Sequence, residues 1–305
     1  MRHVFIINPA AGHRDQTPWF RSEIERCCQG LQYEIHVSHA PGVCRVLAKR
    51  AAEQGDEVRI YACGGDGTLN EVASGAAGYP NAAVTHYAGG SGNDFIRMFS
   101  DTAPFRDLSQ LLDAKEVAFD LVDCNGDLSI NICSVGLDAR IGTEVAFYKR
   151  LPFISGHVAY VVSTVRNVIR GISEHYIVEV EGERIDADQT MICVANGRYY
   201  GGGFNPVPEA DPTDGKLDVL LVSKVSRLQV AGIVGKYKAG LYRRYPRLVR
   251  HFRTDRVRIL CDDTTAVNLD GELRRAKTVD ISVAKEKIRF FYPDTVELLP
   301  GEPKL

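Results

Sequence analysis

Three turns built from small residues carry the polar groups in this sequence that could do chemistry. They are Asn8-Pro9-Ala10-Ala11-Gly12, Gly64-Gly65-Asp66-Gly67-Thr68-Leu69-Asn70 and Gly89-Gly90-Ser91-Gly92-Asn93-Asp94. Each follows an apolar run. Glycine at such a turn can take positive φ and removes side chains, so that a phosphate can reach backbone N–H groups at a helix N-terminus. Tight turning alone leaves Asp66, Asn70, Asn93 and Asp94 unexplained, since these bring polar groups to one edge. No GxxxxGK[ST] lysine loop is present, and no GxGxxG opens the first helix. A nucleotide would therefore be held by backbone N–H groups and by the hydroxyls of Thr68 and Ser91. Carboxylates beside a triphosphate repel it unless Mg²⁺ intervenes, so Asp66 and Asp94 point to Mg-ATP rather than a bare dinucleotide.

Two further carboxylate turns lie later in the chain. In Asn268-Leu269-Asp270-Gly271-Glu272, two carboxylates flank a glycine at the end of an alternating run. That is either an ordinary Asp-Gly hairpin or a base able to take a proton from a hydroxyl. Asp211-Pro212-Thr213-Asp214-Gly215-Lys216-Leu217-Asp218 could wrap a hard cation with carboxylates and carbonyls, or be a solvated turn; its spacing is not that of an EF-hand.

The elements that must position these groups change character along the chain. Runs at 4–8, 33–38, 57–63 and 82–88 read as strands, and 18–29, 43–54, 68–77 and 93–99 as helices. Strand–helix alternation with short turns implies an α/β domain with a parallel sheet, over residues 1–122. Residues 118–135 look like strands joined by Asn125-Gly126, and 139–170 like a helical stretch broken near Pro152. After residue 174 alternating runs dominate, at 176–181, 190–195, 217–222, 256–261, 265–270 and 278–283, interrupted by a basic helix at about 226–241. This predicts a β-rich sandwich domain over 123–286.

The 305 residues suffice for two such domains, and 45% hydrophobic with 25% charged residues is the composition of a soluble globular chain. No apolar run is long enough to span a bilayer. Eight cysteines form no CxxC pair and mostly sit in apolar runs, which fits buried thiols in a reducing cytoplasm rather than a zinc site. The net charge of −2 is unevenly spread: residues 224–258 hold 11 Lys/Arg against the single acid Asp255. Lys236, Lys238, Arg243, Arg244 and Arg247 alternate there with tyrosines. Nucleic acid could meet such a surface. So could an anionic membrane, at about 1 kcal/mol per basic residue, with the tyrosines at the interface.

The three turns together, with Gly90-Ser91-Gly92-Asn93-Asp94-Phe95 the most specific, resemble the bacterial diacylglycerol kinase-type lipid kinases, which are related to sphingosine kinases and more distantly to NAD kinases. The resemblance covers essentially the whole chain. It implies an ATP- and Mg²⁺-dependent kinase whose last strand, 287–292, returns to the first domain, so that 287–305 belongs with it. It implies ATP contacts at Asn8, Ser38 (where threonine is usual), Gly64, Gly65, Asp66, Gly67, Thr68, Asn70 and Ser91. Asp66, Asp94 and Asp120 would form the catalytic Mg²⁺ network. A structural Mg²⁺ would lie near Asp211, Asp214 and the carbonyl of Lys216. The general base would lie in Asp270-Gly271-Glu272, with the role open between the two carboxylates. The acceptor implied is a lipid in an anionic membrane surface, with diacylglycerol first, the enzyme being cytoplasmic and peripherally associated. Nucleic acid is not an expected partner, and a homodimer is left open. The rival readings are a kinase of a soluble substrate such as NAD and a non-catalytic nucleotide or membrane sensor.

Overall fold

The computed structural model describes residues 1–137, 139–141 and 172–304. The expected helical stretch 139–170 therefore lies, beyond its first three residues, outside the described residues.

The N-terminal unit alternates β1 (Arg2–Ile7), α1 (Thr17–Cys27), β2 (Tyr33–Val37), α2 (Val43–Glu53), β3 (Val58–Gly64), α3 (Asp66–Ala76) and β4 (Ala82–Ala88). β1 pairs in parallel with β2 and β3, and β3 with β4. Strands β1, β3 and β4 are buried along their whole length. That is why they read as continuous apolar runs rather than as alternating ones. α3 packs deepest of the helices, and α2 crosses it closely. A Cβ on Gly75 would run into the carbonyl of Arg45, so glycine is required at that crossing. The expected helix at 93–99 is instead a single 3-10 turn, Phe95–Met98. Its start is capped by the side chain of Asp66, which accepts from the N–H groups of Asp94 and Phe95.

After a short α4 (Leu108–Leu112) come β5 (Ala114–Cys124), β6 (Asp127–Ser129), β7 (Ile132–Gly136), β8 (Glu174–Val180), β9 (Glu183–Ala195) and β10 (Leu217–Ser223). Then follow α5 (Arg227–Lys238), β11 (Val249–Thr254), β12 (Arg256–Leu269) and β13 (Glu272–Pro293). α5 starts with a capping box: Ser226 accepts from the Gln229 N–H, and the Gln229 side chain accepts from the Ser226 N–H. The runs at 256–261 and 265–270 are one strand, β12, with a register irregularity between Leu260 and Thr265.

The two halves do not have separate sheets. Among the described residues all 13 strands join in one mixed sheet, parallel among β1–β4 and antiparallel through the β-rich half. β13 makes the connection. Its start pairs with β12 at the Asp270 hairpin, and residues 287–293 pair antiparallel with β5. Arg289 and Phe290 pair in parallel with β4. The expected returning strand is thus the far end of a 22-residue strand. Phe290 lies among Phe95, Phe99, Phe105 and Phe119, with ring centroids 5.3–6.5 Å apart. Truncating a core phenylalanine costs about 3–5 kcal/mol. Phe290→Ala should lower the thermal midpoint sharply, and calorimetry on the purified variant checks this; an unchanged midpoint would show that β13 does not anchor the first unit.

Candidate active site

The glycine turns converge at the C-terminal ends of β1, β3 and β4, where open α/β sheets place ligands. Positive φ explains little of their glycine content: only Gly12 (φ 80°) and Asn93 (φ 49°) are left-handed there. Close approach explains the rest. A Cβ on Gly64 would strike the Thr68 side chain, and one on Gly90 would strike the Cα of Gly65. The Gly64 carbonyl accepts from the N–H groups of Gly89 and Gly90 at 2.7 and 2.9 Å, and from Nε2–H of fully buried His86 at 2.9 Å. Burial lowers the pKa of His86, which favours the neutral ring. Asn8 ties the first turn to the second by donating Nδ2–H to Thr68 Oγ1 at 3.0 Å.

Asp66 opens α3. Its Oδ1 accepts from the N–H groups of Asp94 (2.5 Å) and Phe95 (3.2 Å). A Cβ on Gly92 would lie 2.8 Å from Oδ2, so the bare glycine keeps room beside that oxygen. Gly67 is open: a Cβ there meets nothing within 4 Å.

The Asp270 hairpin forms the opposite wall. Asp270 and Gly271 both have positive φ, 46° and 92°, the signature of a two-residue turn between β12 and β13. The Asp270 carboxylate accepts from Ser129 Oγ (2.6 Å) and from the N–H groups of Ile130 (3.1 Å), Asn131 (2.9 Å) and Ile132 (2.8 Å). Burial outweighs these donors and lifts the carboxyl to about 6. Nearby Asp66 pushes the same way. Glu272 is engaged differently, with Oε2 at 2.9 Å from Arg274 and 3.8 Å from Arg45. Together these walls enclose a cleft of about 570 Å³, within the size range of small-molecule sites.

Of the residues expected to act, Asn8, Ser38, Gly65, Asp66, Gly67, Thr68, Ser91, Asp270 and Glu272 line this cleft. Gly64 and Asn70 do not. Gly64 knits the turns through its carbonyl, and Asn70 is buried behind the cleft against Ile130. The three-carboxylate network is not assembled either. Asp94 is buried outside the cleft lining, and its side chain pairs with Arg97 Nε at 3.0 Å and accepts from the Gly202 N–H at 2.6 Å, binding the third turn to the β-rich half. Burial raises its pKa, and the neighbouring Asp66 adds to the rise. Asp120 pairs with Lys287 at 2.7 Å and accepts from the Gly215 N–H.

Asp120 therefore braces the 211–216 turn. In that turn Asp211 accepts from Thr213, and Asp214 accepts from the Lys216 N–H and pairs with Arg253. Ammonium and guanidinium groups stand beside these carboxylates, and no group of three His, Cys, Asp or Glu able to hold a metal occurs among the described residues. Asp211 and Asp214 are thus engaged within the turn and, for Asp214, by Arg253. Lys236, Lys238, Arg243, Arg244 and Arg247 are exposed. Of the tyrosines among them, Tyr237 and Tyr242 pack inward and Tyr245 is half-buried.

Sequence reasoning gave no role to Glu71, whose carboxylate accepts from the N–H groups of Gly42 (2.9 Å) and Cys44 (3.0 Å) and so caps α2 beside the cleft. It also missed the 129–132 loop. No local pattern marks that loop, since its partner Asp270 is about 140 residues away.

Glycine-lined N–H groups facing a carboxylate of raised pKa are compatible with phosphoryl transfer to a hydroxyl, and relatedness gives the class, a phosphotransferase with an alcohol acceptor. Residues 2–124 match the diacylglycerol kinase catalytic domain, and 131–292 match the YegS C-terminal NAD kinase beta sandwich-like domain. The chain belongs to the diacylglycerol kinase-type lipid kinase family. A Staphylococcus carnosus protein provisionally named a lipid kinase is 24% identical over 240 residues, 78% of each chain. A Staphylococcus aureus protein of the same provisional name is 24% identical over 265 residues, 86% of each. The fold matches crystal structures from Bacillus anthracis. One is provisionally named a diacylglycerol kinase, with TM-score 0.73, 20% identity and coverage of 96% of this chain and 97% of the other. A second, called a diacylglycerol kinase, has TM-score 0.67 and 16% identity over the same shares.

Gly67 and Gly64 separate function from fold. Gly67→Val should leave the thermal midpoint close to that of the parent while raising KM for ATP at least about tenfold, by standing between nucleotide and backbone. Gly64→Val should lower the midpoint through its clash with Thr68. Melting curves beside ATP titrations test the pair, and equal behaviour of the two variants would overturn the assignment.

Proposed function

We propose that this kinase transfers the γ-phosphate of Mg-ATP to the hydroxyl of a membrane lipid, with diacylglycerol giving phosphatidic acid as the first candidate. The observation that carries the reading is the cleft itself, with phosphate-binding turns on one wall and Asp270 on the other. The N-terminus of α3 offers free N–H groups and a positive dipole end to the phosphates. The donor set near Asp66 suits Mg²⁺, which characteristically takes one or two protein carboxylates and shares the substrate phosphates. Asp66 supplies one such carboxylate, and Gly92 keeps room beside Oδ2. When bound, Mg²⁺ would neutralise charge developing on the transferred group.

Asp270 takes the proton of the acceptor hydroxyl. The freed oxygen forms its bond to the γ-phosphorus as the bond to the β-phosphate oxygen breaks, and ADP leaves. A base with pKa near the working pH serves best, and Asp270 at about 6 meets this. Glu272, held by Arg274, is less suited to accept a proton. The base must be ionised, so activity should be lost as pH falls through about 6. Asp270→Asn should lower kcat by roughly 10²–10⁴ with ATP affinity nearly unchanged. Equal loss of ATP binding would reassign the hairpin to the nucleotide.

Labelled γ-phosphate transfer tested against diacylglycerol, phosphatidylglycerol, sphingosine, an isoprenol and NAD decides the acceptor. Label in diacylglycerol is expected, and label in NAD alone would sink the lipid reading. The exposed basic groups support delivery at an anionic bilayer. The protein should sediment with anionic vesicles and not with neutral ones. Binding should weaken as salt shortens the Debye length from about 10 Å at 0.1 M toward about 3 Å at 1 M. Replacing Arg243, Arg244 and Arg247 with Glu should reduce activity on vesicle-embedded lipid but spare a monomeric short-chain acceptor. Equal loss on both would remove the membrane role.

A further inference from the structure

Asn70 belongs by sequence to the second glycine turn, yet its side chain serves the opposite wall. It is 1% exposed, and Oδ1 accepts from the Ile130 N–H at 3.2 Å. From the other side Asn196, also 1% exposed, donates Nδ2–H to the Ile130 carbonyl at 2.7 Å and to the Asp120 carbonyl at 2.8 Å. The N–H groups of Asn196 and Gly197 both reach the Asn131 carbonyl, at 2.9 and 3.0 Å. Asn131 Nδ2–H in turn donates to the Tyr199 carbonyl at 2.7 Å. Ile130 is thus held by a carboxamide that shares its N–H with Asp270 Oδ2 and by another on its C=O.

Ile130 and Asn131 also supply two of the amides that hold Asp270. A carboxamide buried this deeply is costly unless its bonds are made, and an apolar residue would fill either position more cheaply. We propose that Asn70 and Asn196 are positioning residues for Asp270: a clamp that sets the 129–132 loop, and through it the carboxylate, from both halves of the molecule. Asn70 lies four residues after Asp66 on α3, about one helical turn. The helix whose N-terminus faces the phosphates therefore bears directly on the loop that aims the base. The proposal rests on Asp270 being the base.

The test uses Asn70→Leu and Asn196→Leu in the full chain, with kcat followed across pH and affinity for a non-hydrolysable ATP analogue measured by titration. Each variant should lose kcat by about 10²-fold, the cost of a small misplacement of a reacting group, while binding the analogue as the parent does. In Asn196→Leu the loop amides turn from the carboxylate, its charged form loses donors, and the acid limb of the kcat profile should move to higher pH. In an Asp270→Asn background either leucine should cost nothing further. Asn70→Leu that weakens analogue binding with kcat intact at saturating ATP would make Asn70 a nucleotide ligand and overturn the clamp, as would losses additive with Asp270→Asn. If a leucine variant does not fold, Asn70→Ser and Asn196→Ser, too short to reach Ile130, carry the same comparison. Full turnover by Asp270→Asn itself would instead refute the base and leave the clamp's geometry a structural brace.

Discussion

The site depends on a contest over one carboxylate. Withdrawal from water favours the protonated form of Asp270, and four donors from residues 129–132 favour the charged form. Neither side wins outright, and the group is left poised where it can both hold and release a proton near neutrality. This balance needs the loop held to fractions of an ångström, because hydrogen bonds weaken steeply with angle. Much of the surrounding architecture can be understood as the means of holding it: the left-handed turn at Asp270 and Gly271, the paired strands β12 and β13, and the buried asparagines around Ile130.

The glycine-turn side solves a different problem. Its three turns must lie against one another closely enough that backbone, not side chains, forms the wall. The Gly64 carbonyl collects three donors at the junction, and glycine wherever two turns touch lets them close. Charge is then admitted sparingly. Asp66 faces the cleft with room at one oxygen, while Asp94, two loops away in sequence, is committed to Arg97 and Gly202. An acidic residue in a binding motif is thus as apt to hold the scaffold as to meet the ligand.

How much of this could be read beforehand follows from the range of the interactions. The glycine turns, the hairpin at Asp270 and most strands are local: apolar runs, turn residues and their order reveal them. Asn8, Asp66, Thr68, Ser91 and Asp270 were legible as cleft residues because backbone geometry near each one is set by its own neighbours. Asn70 and Asp120 were misplaced because their partners, Ile130 and Lys287, are distant in sequence. The 3-10 turn at Phe95–Met98 escaped for the same reason, since the side chain that caps its start, Asp66, comes from another loop. The inward tyrosines and the single mixed sheet likewise depend on which face meets which, and helical or strand periodicity does not encode that.

The long strand β13 has a consequence for how the chain divides. A cut between the two halves at residue 124 would look natural from the order of elements. Yet it would strip β4 of the neighbour supplied by Arg289 and Phe290, and β5 of its partner through Pro293. The isolated first half would show open backbone along interior strands, the kind of edge on which chains stack. The halves are therefore not modules to be exchanged. A strand from late in the sequence completes the sheet begun by the first strands, so the wall of glycine turns and the wall of the Asp270 hairpin share one framework.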